Sequence, residues 1–121
     1  MTGTSRFGID AETETEVATT YTSDTNLSDA DFPSEFVILD GDDNTVAITN
    51  WTPTVGKLYI IYASNVDNAV TVQLSSGWTW DGTNPRATLD AVGECIFAFA
   101  AATNYLKVVG NPDSIAFDTP A

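Results

Sequence analysis

Histidine is absent from this chain of 121 residues, and cysteine and methionine occur once each. Without histidine the commonest general base at neutral pH is missing, and with it the usual partner of a Ser or Cys nucleophile. A single cysteine cannot close an intrachain disulfide. Cys95 sits in the apolar run Glu94-Cys-Ile-Phe-Ala-Phe-Ala100 and reads as a small buried hydrophobe. Cations are nearly missing too: Arg6, Lys57, Arg86 and Lys107 stand against 17 Asp and Glu, for a net charge of -13. Four cations cannot build the basic face that nucleic-acid phosphates or anionic lipids require, so neither is an expected partner. No apolar run approaches the ~20 residues of a membrane-spanning helix. No basic, apolar leader with a cleavage site is read either.

What the chain does have is apolar and β-prone. Hydrophobic residues make up 43%, including 3 Trp, 4 Tyr and 6 Phe, enough to build one core without disulfides. Val and Ile lead among the aliphatics of the central region and suit a pleated, half-buried surface. The acidic excess favours solubility at high local concentration.

Three regions are expected. Residues 1–34 are rich in Thr, Ser, Asp and Glu, with Phe7, Ile9, Val17, Tyr21, Leu27 and Phe32 scattered among them. Such a segment cannot offset its ordering entropy alone and reads as an extended arm, whose apolar residues would anchor it on a partner. Residues 35–110 alternate short β-type runs with turns. Glu35–Leu39, the turn Asp40-Gly-Asp-Asp-Asn44 and Thr45–Thr49 read as strand, tight turn, strand. Further runs follow at Lys57–Ala63, Ala69–Leu74, Gly77–Trp80, Arg86–Asp90, around Cys95–Ala100, and at Asn104–Gly110. Val70, Val72 and Leu74 share one face, Ala87 and Leu89 point inward, and Cys95, Phe97 and Phe99 share a face. About eight strands at this spacing predict a single antiparallel β-sandwich or jelly-roll-like domain. Residues 111–121 form a short tail with Ile115 and Phe117.

From Thr54 to Gly110 these strands and turns resemble small β-sandwich modules of bacteriophage decoration (cement), head-fibre and tail-fibre proteins. The resemblance is carried by Gly56-Lys-Leu-Tyr-Ile-Ile-Tyr62, Asn68-Ala-Val-Thr-Val72, Trp80-Asp-Gly82, Leu89-Asp-Ala-Val-Gly-Glu94 and Asn104-Tyr-Leu-Lys-Val-Val-Gly110. Tyr105 stands where Trp is frequent in such modules, and the N-terminal arm has no counterpart among them. The resemblance implies a virion surface component without a cofactor, usually a homotrimer. Its partners would be further copies of itself and the major capsid protein, on the capsid's outer surface.

Candidate chemistry is sparse. Carboxylate pairs can hydrolyse glycosides, but the acids here fall mostly in turns and in the arm, where solvation explains them. Asp40, Asp42 and Asn44 open like an EF-hand loop, yet Thr45 occupies the Gly position and Trp51 that of the bidentate Glu. No catalytic, cofactor or metal residue is therefore assigned. Trp78 and Trp80 fall on one face of a strand. Core packing is the favoured reading; facing out, they would offer a platform for a host glycan, as in a tail or fibre adhesin. The expected function is capsid decoration, with glycan binding as its alternative.

Overall fold

The computed structural model describes residues 18–111 and 113–120, and every regular element among them is a β-strand. Strands β1 (Thr19–Tyr21), β2 (Thr25–Ala30), β3 (Phe36–Asp40), β4 (Val46–Trp51), β5 (Leu58–Asn65) and β6 (Val70–Leu74) make up the first half. β1, β3 and β5 lie side by side in one sheet, and β2, β4 and β6 in another. Each of these pairings is parallel. The chain thus crosses to the opposite sheet after every strand and returns one position further along, which is how a solenoid winds. Phe36 opposite Ile60, and Val46 opposite Val70, set a rung of roughly two dozen residues.

The direction then reverses. The remaining strands are β7 (Thr79–Trp80), β8 (Arg86–Leu89), β9 (Cys95–Ala102), β10 (Tyr105–Gly110) and β11 (Ala116–Asp118). β9 runs antiparallel to β5, and β8 antiparallel to β6, so each sheet of the winding is closed by a strand of opposite direction. β10 and then β7 complete a six-stranded sheet, while β11 completes a five-stranded one.

All eight expected strands are present, as β3 to β10, but the antiparallel arrangement fails in the first half. The turn at Asp40–Asn44 does not close a hairpin, because β3 and β4 enter different sheets. Its backbone bonds run to the next rung instead. Gly41 N–H donates to the carbonyl of Asn65 (2.8 Å), Asn68 N–H to that of Gly41 (2.9 Å), and Val46 N–H to that of Ala69 (2.9 Å). Inward residues of β3 (Val37, Leu39) and β4 (Val46, Ile48, Trp51) then belong to one core from opposite sheets. Gly41 is required by this stacking: a Cβ there would lie 2.7 Å from the Asn68 carbonyl oxygen and 3.0 Å from Val70 Cγ2.

The arm expected over residues 1–34 is also revised from Thr19 onward. β1 and β2 are the first rung, one strand in each sheet. Phe32, expected to anchor on a partner, is 2% exposed in this chain's own core. Tyr21 and Leu27 pack against that core, Tyr21 with its ring 5.6 Å from that of Phe32. Residues too dispersed to fold alone are ordered here by the rung beneath them. Phe7, Ile9 and Val17 lie outside the described residues.

The core is aromatic at its centre. Trp51 packs 4.5 Å from Phe32, 5.0 Å edge-on from Tyr59 and 5.9 Å from Trp80, and Trp80 in turn packs 5.4 Å from Phe117 of the tail. Burying Phe32, Trp51, Tyr59 and Trp80 contributes several kcal/mol, on the order of 1.5–3 for each large apolar side chain. Arg86 holds β11 against β8 through a two-pronged pair with Asp118, at 2.8 Å and 2.6 Å.

Candidate functional site

The densest polar constellation centres on Asp31, just after β2. β2 is irregular between Asn26 and Ala30, with Ser28 and Asp29 at φ of 56° and 65°. The side chain of Asn26 steadies this bulge by accepting from Ser28 N–H (2.7 Å) and from the amide of Asn50 (3.0 Å). Asn50 has φ of 58° at the corresponding irregularity of β4, so the two bulges stack. Bulges re-aim the chain that follows them. Here that chain carries Asp31 to a place between the sheets' ends.

Five groups donate to the Asp31 carboxylate. Oδ1 accepts from Phe32 N–H (2.9 Å), Trp51 Nε1 (2.9 Å) and the Tyr59 hydroxyl (2.8 Å). Oδ2 accepts from Thr54 Oγ1 (2.6 Å), Lys57 Nζ (3.3 Å) and again Tyr59 (2.7 Å). Burial alone would push this carboxyl up, but the bonds from Thr54, Trp51 and Tyr59 and the charge of Lys57 outweigh it and hold it below its ordinary value. Tyr59 moves the other way. Burial and its bond to Asp31 raise its hydroxyl far above the usual range, while Thr54 N–H donates to it at 2.8 Å. Tyr59 therefore stays a donor. A carboxylate offers about four lone-pair sites, and these are taken. The chain's own donors thus engage both Asp31 oxygens, which makes it a clamp joining β2, β4 and β5.

Trp78 and Trp80 are 6% and 0% exposed, so they build no outward platform. Trp80 donates its indole N–H to the Pro85 carbonyl at 3.2 Å. Trp78 forms part of the wall of a shallow cleft of about 400 Å³, with Asn50, Gln73, Ser76 and Pro85. Asp40 serves the turn, its Oδ1 accepting from Asp42 N–H at 3.2 Å, while Asn44 Nδ2 reaches back to the Thr22 carbonyl of the preceding rung at 3.5 Å. Among the described residues no three His, Cys, Asp or Glu side chains converge as metal ligands would.

The two sheets differ on their outer faces. On the five-stranded sheet the outer positions are mostly polar: Thr71 pairs with Thr88, flanked by Ala47 and Ala116, and Gln73 pairs with Arg86, in the ordinary manner of a solvated face. On the six-stranded sheet they are apolar in successive rows. Leu58 lies opposite Phe99, which lies opposite Lys107. Phe36 lies opposite Ile60, and Ile60 opposite Phe97. Ile38 lies opposite Tyr62, and Tyr62 opposite Cys95. Phe97, Phe99 and Leu58 are 43%, 37% and 49% exposed.

Cys95 is thus half-exposed on an outer face rather than buried in the core. Its thiol is pushed up by partial burial and by the nearby charge of Asp113. Ile96, Ala98 and Ala100 take the inward positions of β9, and Ala98 is opposite the buried ring-bearing Tyr59. Small residues fit there because Trp51, Tyr59 and Trp80 already fill the core. The large side chains of β9 are left outside.

None of these rows carries a carboxylate, although the chain has 17. The apolar sheet face is the feature that sequence reasoning missed, and the signal was present as a strand apolar at both even and odd positions. The chain matches no protein-family model, no curated protein and no solved structure.

Proposed function

We propose that this chain is a structural subunit that acts by assembly, as a decoration protein on the outer surface of a phage capsid. The observation that carries the assembly reading is the apolar outer face of the six-stranded sheet, set beside the polar outer face of its five-stranded counterpart. A soluble chain seldom leaves a contiguous apolar patch of several hundred Å² unless something covers it. The saturation of Asp31, the strongest candidate for acid–base chemistry, supports a non-enzymatic role. The resemblance of residues 54–110 to phage surface modules supplies the viral setting, with further copies of the chain and the major capsid protein as partners. In that setting the acidic remainder faces solvent and keeps subunits soluble before they attach.

The test is the copy number of the protein in purified virus particles from its source, by quantitative mass spectrometry. Hundreds of copies per particle are expected for a subunit of a capsid lattice. A few to a few dozen would move it to the tail or neck, and absence from the particle would end the viral assignment.

A further inference from the structure

The outer face of the six-stranded sheet is as apolar as many cores, and the question is what covers it. We propose that it is covered by a second copy of this chain, the two copies packing through the Phe36–Ile60–Phe97 and Leu58–Phe99 rows. This deepens the assembly reading above and does not depend on the viral setting.

Electrostatics selects the occupant. Each copy carries a net charge of -13, so two copies repel over most of their surface. The Phe36–Ile60–Phe97 and Leu58–Phe99 rows hold no acid; Asp40 at the end of β3, Asp113 beside Cys95, and Asp81, which pairs with Lys107 at 3.6 Å, lie at the margin. Through these two central rows two like-charged chains can meet over an apolar area with carboxylates only at its rim. The five-stranded sheet, with Arg86 paired to Asp118 and Thr and Gln around them, offers no comparable contact. A cationic partner would be recognised by the acidic turns, and an anionic one would find a single lysine.

The area is of the right order. The apolar rows run across β3, β5, β9 and the edge of β10, about 4.8 Å apart, and three residues along each strand, about 6.8 Å per pair of residues. That is a patch of roughly 20 Å by 20 Å, or on the order of 400 Å² in projection. A stable contact needs about 800 Å² on each partner, a little over half of it apolar. The patch supplies that apolar part, and Thr20, Ser64, Tyr105 and Lys107 at its margin supply polar positions for the rim. Sheet faces stack about 10 Å apart with side chains interdigitating, and exposed Phe97 and Phe99 are the side chains to do so.

Cys95 provides a built-in reporter, since it is the chain's single thiol and lies in the third row of this face. The experiment uses the full chain at fixed pH, from roughly 1 to 100 μM, which covers the weak end of the affinities that such areas give. Sedimentation velocity reads the mass, and a thiol-reactive dye reads the rate of Cys95 labelling. Expected is a species of two or more chains at the upper concentrations, with labelling on the order of tenfold slower than at the lowest. Added salt should strengthen the association, because it screens the repulsion and spares the apolar contact. A Phe97→Ser/Phe99→Ser variant, with its circular dichroism unchanged, should sediment as a monomer and label fast throughout. Three outcomes would overturn the proposal. One is a monomer at 100 μM with fast labelling. Another is a monomer whose labelling is slow at every concentration, which would mean that the chain's own residues 1–17 cover the face. The third is association that the double variant leaves intact. A monomer found in hundreds of copies per virus particle would remove self-association while sparing the capsid role.

Discussion

Replacing Asp31 by alanine tests whether the clamp at the centre of the winding is structural, and its cost follows from the donors left behind. Lys57 is about one-third exposed at its side chain and Thr54 is at the surface, so both can turn to water. Trp51, Tyr59 and the backbone N–H of Phe32 cannot, since these residues are 0%, 0% and 2% exposed. A buried donor stripped of its acceptor costs about 1–3 kcal/mol, so three of them put Asp31→Ala at about 4 kcal/mol or more. Asp31→Asn keeps one acceptor oxygen but loses the charge, and should cost about half as much. For a domain of roughly 100 residues, 4 kcal/mol corresponds to a melting point lower by about 15–30 °C. Urea unfolding followed by tryptophan fluorescence reads this directly, with the slope unchanged if only stability has moved. The Asp31→Ala/Tyr59→Phe double variant should cost less than the sum of the two singles, because removing the hydroxyl removes one of the orphaned donors. The pH dependence carries a sign as well. The folded carboxyl is held below its unfolded value, so its contribution is present at neutral pH and fades as pH falls below about 4 through the folded value. A cost for Asp31→Ala below about 1 kcal/mol, or full additivity with Tyr59→Phe, would refute the clamp.

Gly41→Ala should destabilise by about 1–3 kcal/mol through its clash with the Asn68 carbonyl, measured by thermal melting; a neutral result would argue against tight stacking of successive turns. Trp80→Ala should cost about 3–5 kcal/mol and loosen β11 through loss of the Phe117 contact, seen as faster amide exchange over residues 116–118. Burial and the neighbouring Asp90 raise the Glu94 carboxyl, so ionising it at neutral pH works against the fold. Glu94→Gln, which keeps the acceptor for Asp90 N–H, should be at least as stable as the parent at pH 7. The gap should close as pH falls through the Glu94 value, since a raised carboxyl contributes its stability at low pH and loses it on ionising. Urea titrations at both pH values check this, and a destabilised variant at pH 7 would contradict it.

How far the sequence could be read depended on contrast between neighbouring positions. β6 and β8 were legible because Thr71, Gln73, Arg86 and Thr88 separate residues that the structure buries: Val70, Val72, Leu74, Ala87 and Leu89. β9 offered no contrast. Its two faces, Cys95-Phe97-Phe99 and Ile96-Ala98-Ala100, are both apolar, and side-chain size pointed to the wrong one. Strand direction was illegible for a different reason. A period of two is the same in parallel and antiparallel ladders, and an acidic turn can close a hairpin or bridge two sheets. The first rung was hidden because Tyr21, Leu27 and Phe32 gain their burial from residues of later turns. Asp31 looked like one more surface acid for the same reason, since Trp51 and Tyr59 stand 20 and 28 positions away.

The parallel winding also restricts how such a chain can change in length. The first rung is locked to the second by matched bulges, the second to the third by a glycine with no room for a side chain, and both by rows of residues facing their equivalents one rung on. Adding or removing a single residue inside a strand would slide these rows out of phase, because side chains alternate between the two faces. Adding or removing one whole turn leaves every remaining turn with an equivalent neighbour. The closing strands β8 and β9 see only the last turn, β5 and β6, whatever precedes it. Length variants of this protein should therefore come in steps of one rung, with the antiparallel end constant. A height adjustable in fixed increments would let such a chain vary its length without redesigning its fold.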